Sequence, residues 1–143
     1  MKKSTGDLLK ELSKDNDLKY FINSNADSFT SSTLSQYLNE LLCEKNINKT
    51  KAIEKSNLNN IYAYEIFSGK KKPSRNKLIQ LAFGMELDLK SVQRLLKTAG
   101  LSELYVRYKR DSIIAFAFNN SLSLFECEEL LETMGEEPIQ QSS

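Results

Sequence analysis

The sequence predicts an all-α protein, and three features of the chain predict it. Glycine and proline are scarce, at 5 and 2 of 143 residues, against an ordinary combined share of about 12%. A turn every ten residues, as an all-β design needs, is therefore not affordable. Apolar residues recur at the i, i+3, i+4, i+7 spacing of one buried helix face. Residues that favour the N-cap position, Thr33, Ser74, Asp88 and Ser123, stand directly before such rows. With 40% of its residues apolar, the chain can bury one compact core with helical additions, and not two full cores.

The elements follow in order. Leu8, Leu9 and Leu12, then Leu18, Tyr20, Phe21 and Ile22, predict an N-terminal helical arm over residues 1–32, closed by the polar stretch 27–32. Thr33 caps a first helix of the main domain with Leu34, Tyr37, Leu38, Leu41 and Leu42 inward, ending near Asn46. A second runs from Lys49 to about Ser56 with Ala52 and Ile53 inward and Lys49, Lys51 and Lys55 outward. Asn57-Leu58-Asn59 makes a polar turn, and a third helix runs from Asn60 to Ser68 with Ala63, Ile66 and Phe67 inward, stopped by Gly69. Lys70-Lys71-Lys72-Pro73 is a basic loop. Ser74 then caps a fourth helix closed by Gly84, and Asp88 caps a fifth ending at Gly100. Five helices with short loops make one unit over 33–100.

Residues 101–143 read as a C-terminal helical extension. Leu101 to Lys109 is a short helix or turn, Asp111 to Phe118 an apolar helix, and Ser123 to Met134 a helix opened by a capping box of Ser123 and Glu126. The tail from Gly135 is expected to fray.

Composition excludes several chemistries. The chain has no histidine, and Cys43 and Cys127 lie far apart without ligand-spaced partners. A zinc site, a Ser-His-Asp relay and a Cys-His pair are ruled out, and both cysteines are expected as buried or half-buried free thiols. Glu126, Glu128, Glu129 and Glu132 lack the Asp/Asn/Gly alternation of a calcium loop and read as a solvated face. No enzyme activity, metal or cofactor is expected. No apolar run approaches the ~20 residues of a membrane span, and Met1-Lys2-Lys3 leads into polar sequence. A cytoplasmic protein with no membrane partner is the expectation.

The formal net charge of +1 hides a segregation. From Lys45 to Lys77 nine basic residues face only Glu54 and Glu65, a local charge of +7, whereas the chain from Asp111 onward carries seven acids and Arg110 is its last base. A basic middle of this kind is aimed at phosphate; two solvated faces are the plain alternative.

Two short helices joined by a three-residue turn, with small Ala52 letting them cross and Leu58 plugging the angle between them, form a helix-turn-helix pattern. Together with Leu34, Leu38, Leu41 and Leu42 before it, the Ser-Gly-Lys-x-x-Pro-Ser string at 68–74, and Leu78, Leu81 and Ala82 after it, this stretch resembles the lambda-repressor-like, or Xre, helix-turn-helix family over residues 33–100. The resemblance implies a five-helix lambda-repressor-like domain that binds double-stranded DNA with a sequence preference, as transcriptional regulators do. Helix 60–68 would enter the major groove, with Lys49, Asn60, Ile61, Tyr64 and Glu65 toward the bases. Asn60 suits adenine, Glu65 a cytosine amine, and Ile61 or Tyr64 a thymine methyl. Thr50, Lys70, Lys71, Lys72, Arg75 and Lys77 would hold phosphates. Arg107, Lys109 and Arg110 either extend that surface or, for Arg110 beside Asp111, form an ion pair at a helix start. Tyr105 and Tyr108 read as core packing with wet hydroxyls rather than base-stacking platforms.

One module buries too little on DNA for tight specific binding. A homodimer is therefore expected, with Ile113 to Phe118 and Leu122 to Leu131 as its interface. The apolar outer face of helix 60–68 also admits a second function. Ile61, Tyr62 and Tyr64 beside lysines suit a protein partner, as in an inhibitor or antitoxin-like module.

Overall fold

In the computed structural model, which describes residues 33–141, Thr33 opens the first helix with a reciprocal capping box. Its hydroxyl accepts from the Gln36 amide while the Gln36 side chain accepts from the Thr33 amide. The predicted arm over 1–32 lies outside the described residues. Seven α-helices and no strand occur among those described: α1 Leu34–Glu44, α2 Lys49–Ser56, α3 Asn60–Ser68, α4 Arg75–Gly84, α5 Leu89–Thr98, α6 Lys109–Asn119 and α7 Leu124–Thr133. No described helix is long and apolar enough to cross a membrane.

Polar side chains start most of these helices, because the first N–H groups of a helix have no partner within it. Asn48, Asn59, Ser74, Asp88 and Ser123 each accept from an amide in the first turn of the helix they precede. The helix ends share a second device. Asn46, Gly69, Glu86, Gly100, Ser121 and Gly135 all take positive φ, and the amide just beyond each bonds back to a carbonyl five residues earlier, as from Ile47 to Leu42, Leu87 to Ala82 and Leu122 to Ala117. An apolar residue then turns the chain back toward the core at Ile47, Leu87, Leu101 and Leu122.

The fourth helix ends at Gly84 as expected, but the glycine is not its left-handed residue, because Glu86 holds that position at φ 55°. Glycine stands there for space. A Cβ at Gly84 would lie 2.1 Å from the Ala52 carbonyl oxygen, where α2 crosses α4. The α2–α4 pair is the most extensive helix contact of the fold. Buried Gln80 adds to it by donating to the Ser56 carbonyl at 2.8 Å, satisfying one of the orphaned carbonyls at the end of α2.

One core runs from Tyr37 to Ile139, and the described residues 33–141 belong to a single compact unit. The segment after Gly100 therefore packs into the same core as the five helices before it. Ile114, Ala117 and Phe118 of α6 and Leu124, Cys127 and Leu131 of α7 are buried, and Phe118 stacks on Phe83 of α4 with ring centroids 4.0 Å apart, a contact worth about 1 kcal/mol beyond its area. Most of the surface expected to form a dimer interface is consumed in this way. Phe116 and Phe125 alone keep large aromatic surfaces outward there.

Of the helix or turn expected over 101–109, the turn is what forms before α6, with Tyr108 N donating to Tyr105 O. Two smaller expectations are revised. The tail does not fray after Gly135, since Ile139 is buried and its amide, with that of Gln140, donates to the Glu128 carboxylate at 2.8 and 3.0 Å. Glu128 is thereby a clamp for the tail and no mere solvated charge. Both cysteines are free, but Cys43 is exposed, while burial pushes the Cys127 thiol up to about 12 and keeps it protonated.

Candidate nucleic-acid interface

Helix α2 begins at Lys49 because the Asn48 side chain accepts from the Lys51 amide at 3.0 Å, and α3 begins at Asn60 because the Asn59 side chain accepts from the Tyr62 amide at 3.1 Å. The Asn57-Leu58-Asn59 turn between them needs a left-handed residue, and Asn57 supplies it at φ 57°, a conformation asparagine tolerates better than most side chains. Leu58 is buried beneath the turn. Two hydrogen bonds to the Phe67 carbonyl, from Ser35 Oγ at 2.6 Å and Asn39 Nδ2 at 3.0 Å, tie the end of α3 to α1.

With α3 fixed this way, its outward side chains are Asn60, Ile61 and Tyr64; Ile61 is 72% exposed and Tyr64 44%. Lys49 reaches them from α2, its Nζ 5.9 Å from the centroid of the Tyr64 ring and 5.1 Å from that of Phe67. Thr50 Oγ1 stands 3.5 Å from the Tyr64 hydroxyl. Lys49, Thr50 and Tyr64 are thus one cluster joining the start of α2 to the middle of α3. Glu65 is half-buried on the same helix. Tyr62 departs from the expected apolar face: it is half-buried against the core, and burial pushes its hydroxyl above the usual phenol range. The candidate protein-binding face narrows to Ile61 and Tyr64.

The basic loop leaves α3 in a fixed position, because the amides of Lys70 and Lys71 both donate to the Glu65 carbonyl, at 2.9 and 3.2 Å. All three lysine side chains, Lys70, Lys71 and Lys72, are exposed, Pro73 is buried, and Lys77 is half-buried in the first turn of α4. Among the nine bases of this stretch, Lys45 pairs with Asp88 and Lys55 with Glu86, exposed contacts of at most about 1 kcal/mol. Lys49, Lys51, Lys70, Lys71, Lys72 and Lys77 make no ion pair among the described residues.

Arg75 does not join the phosphate set. Its guanidinium is spent inside the fold: both terminal nitrogens bond the Asp111 carboxylate, at 3.2 and 2.9 Å, while Nε donates to the Ser102 carbonyl and Nη2 to that of Glu103. Asp111 is buried and also accepts from the Tyr105 amide at 2.9 Å. Arg110 accordingly does not pair with Asp111; it donates to the carbonyls of Glu137 and Pro138 and to the Asn76 side chain. No local pattern announces a pair separated by 36 positions, and this hub is the element that sequence reasoning missed. Replacing Arg75 with alanine strands a buried carboxylate and is expected to cost about 3 kcal/mol of stability. Chemical denaturation measures that cost.

Tyr105 and Tyr108 also differ from expectation. Both are exposed and meet edge to face, 5.2 Å between centroids.

Comparison with protein-family models, with curated proteins and with solved structures gave no match. The functional reading therefore rests on the residues and their placement.

Proposed function

We propose that the α2–turn–α3 pair is a helix-turn-helix of the lambda-repressor-like class, and that α3 enters the major groove of duplex DNA. Within that class the chain acts as a sequence-preferring DNA-binding protein, in the manner of a transcriptional regulator, and binds as a homodimer with Phe116 and Phe125 at the contact between copies. The observation that carries this reading is the outward placement of Asn60, Ile61 and Tyr64 on a short helix rimmed by lysines that make no ion pair among the described residues. A buried outer face on α3 would have removed it.

Each residue then has a role that its chemistry suits. Asn60, near the start of α3, offers an amide that matches the N6 and N7 edge of adenine; Ile61 and Tyr64 offer carbon surface to a thymine methyl; Glu65 accepts from a cytosine amine. Lys49 reaches toward the bases beside them, and Thr50, Lys70, Lys71, Lys72 and Lys77 hold the phosphates that set the register. A mobility shift on random genomic fragments at low salt is expected to show binding, and Asn60→Ala to change the ranking of fragments more than the mean affinity. Absence of any shift at low salt overturns the proposal; an unchanged ranking removes Asn60 from base readout.

A second reading is favoured by one observation, the exposure of Ile61 beside Tyr64. Such a patch also suits a protein partner of an inhibitor or antitoxin-like module. Loss of a protein partner in Tyr64→Ala with DNA affinity intact would favour it.

A further inference from the structure

The exposed tip at residues 105–108 is built unlike an ordinary loop. Val106 is 71% exposed, Tyr108 64% and Tyr105 48%, and Arg107 is exposed with no hydrogen bond or ion pair among the described residues. Yet the backbone beneath them is anchored at nearly every step. Arg75 holds the carbonyls of Ser102 and Glu103. Gln93 takes both the carbonyl and the amide of Leu104, at 2.8 and 2.7 Å. The buried Asp111 carboxylate takes the amide of Tyr105, and Ser112 Oγ donates to the carbonyl of Val106. A loop fixed in this way has already lost the conformational entropy that binding would otherwise remove. What it holds outward is two aromatic rings, one aliphatic side chain and one unpaired cation.

Its location decides the partner. The clamp that fixes the loop is Arg75, the first residue of α4, three residues after Lys72. At 3.8 Å per residue, the α-carbons of Lys72 and Arg75 cannot be more than about 11 Å apart. The tip is therefore tethered to the end of the basic loop, and its free charge has the same sign. Lys109 and Arg110 do not add to that charge directly, because they donate to the carbonyls of Met134, Glu137 and Pro138. Arg107 is the cation of the tip.

We infer that the 105–108 tip is a second contact to duplex DNA, resting on the reading of α3 and the Lys70–Lys72 loop as a DNA interface: Arg107 neutralises a phosphate of the backbone flanking the groove that α3 enters, and Tyr105, Val106 and Tyr108 pack on the adjoining sugars. An arginine fork matches phosphate geometry, and tyrosine combines carbon surface with a hydroxyl that can donate to a phosphate oxygen. Because sugars and phosphates carry no sequence, the contact adds affinity without altering preference.

The test is a titration of the full chain and three variants with one duplex over a range of salt. Arg107→Ala is expected to weaken binding by roughly tenfold and to lower the magnitude of the slope of log K against log salt by about one. Tyr105→Ala with Tyr108→Ala should weaken binding with the slope unchanged, since no charge is removed. A variant in which Lys70, Lys71 and Lys72 are alanine reports separately on the main interface. If that variant loses affinity and slope while Arg107→Ala and the double tyrosine variant match the parent, the tip serves another partner, such as a protein, and the inference fails although the DNA reading stands. If the parent chain binds no duplex at low salt, both fall. The tip side chains are exposed, so melting curves should superimpose on the parent's and exclude loss of fold as the cause.

Discussion

Replacing Lys70, Lys71 and Lys72 together with alanine is expected to lower affinity for duplex DNA by about two orders of magnitude near 0.1 M salt, almost equally for every sequence. The three side chains are exposed, and the backbone that carries them is pinned to the Glu65 carbonyl through the amides of Lys70 and Lys71. Those amide bonds survive the substitution, so the loop keeps its course and only charge is removed. Each phosphate neutralised releases about one condensed counterion, so the slope of log K against log salt should shrink in magnitude by about 3. Filter binding at four or five salt concentrations measures both quantities. An unchanged slope would mean that these lysines do not meet phosphate, and the proposed interface would lose its main electrostatic contribution.

The second large effect concerns stability. Gly84→Ala places a methyl group 2.1 Å from the Ala52 carbonyl oxygen, 2.7 Å from Ser56 Cβ and 2.8 Å from the Ser56 amide nitrogen. Two of these neighbours are backbone, so relief requires α2 and α4 to separate. Overpacking of a rigid core commonly costs about 1–3 kcal/mol, and a clash with backbone belongs at the upper end. For a domain of this size the melting temperature should fall by roughly 10 °C. Because α2 carries Lys49 and Thr50, the same displacement pulls the start of α2 away from Tyr64 and should weaken DNA binding at temperatures where the variant remains folded. Thermal unfolding followed by circular dichroism gives the first result. A variant that melts with the parent would show that the crossing is looser than the geometry requires.

What the sequence made legible, and what it did not, divides along physical lines. The helices at 34–44, 49–56, 60–68 and 124–133 could be read because their signals are local: a capping side chain, an apolar row at helical spacing, a turn of asparagines. Ile61 as an exposed residue and Ala63, Ile66 and Phe67 as buried ones follow from the same spacing. The role of Arg75 is not legible locally, because its partners, Asp111 and the carbonyls of Ser102 and Glu103, come from a distant stretch of chain. A lysine-rich neighbourhood makes any arginine look like a phosphate ligand until its hydrogen bonds are known. Gly84 ends its helix as its residue type predicts, but the left-handed position falls to Glu86 and the glycine answers to a neighbouring helix, which no local signal shows. The tyrosines at 105 and 108 look like core residues by composition; only the anchoring of the loop beneath them shows why they stay outside.

The link between Asn57 and Gln140, 2.6 Å from amide nitrogen to amide oxygen across 83 positions of sequence, bears on the order in which the molecule assembles. During synthesis the α2–α3 turn leaves the ribosome long before its partner in the tail, so this closing contact is formed late. Contacts of such large separation carry a high loop-closure cost and are poor candidates for a folding nucleus. Severing this one should therefore leave the refolding rate nearly unchanged and show itself in faster unfolding, which makes the tail a latch on the lifetime of the folded state.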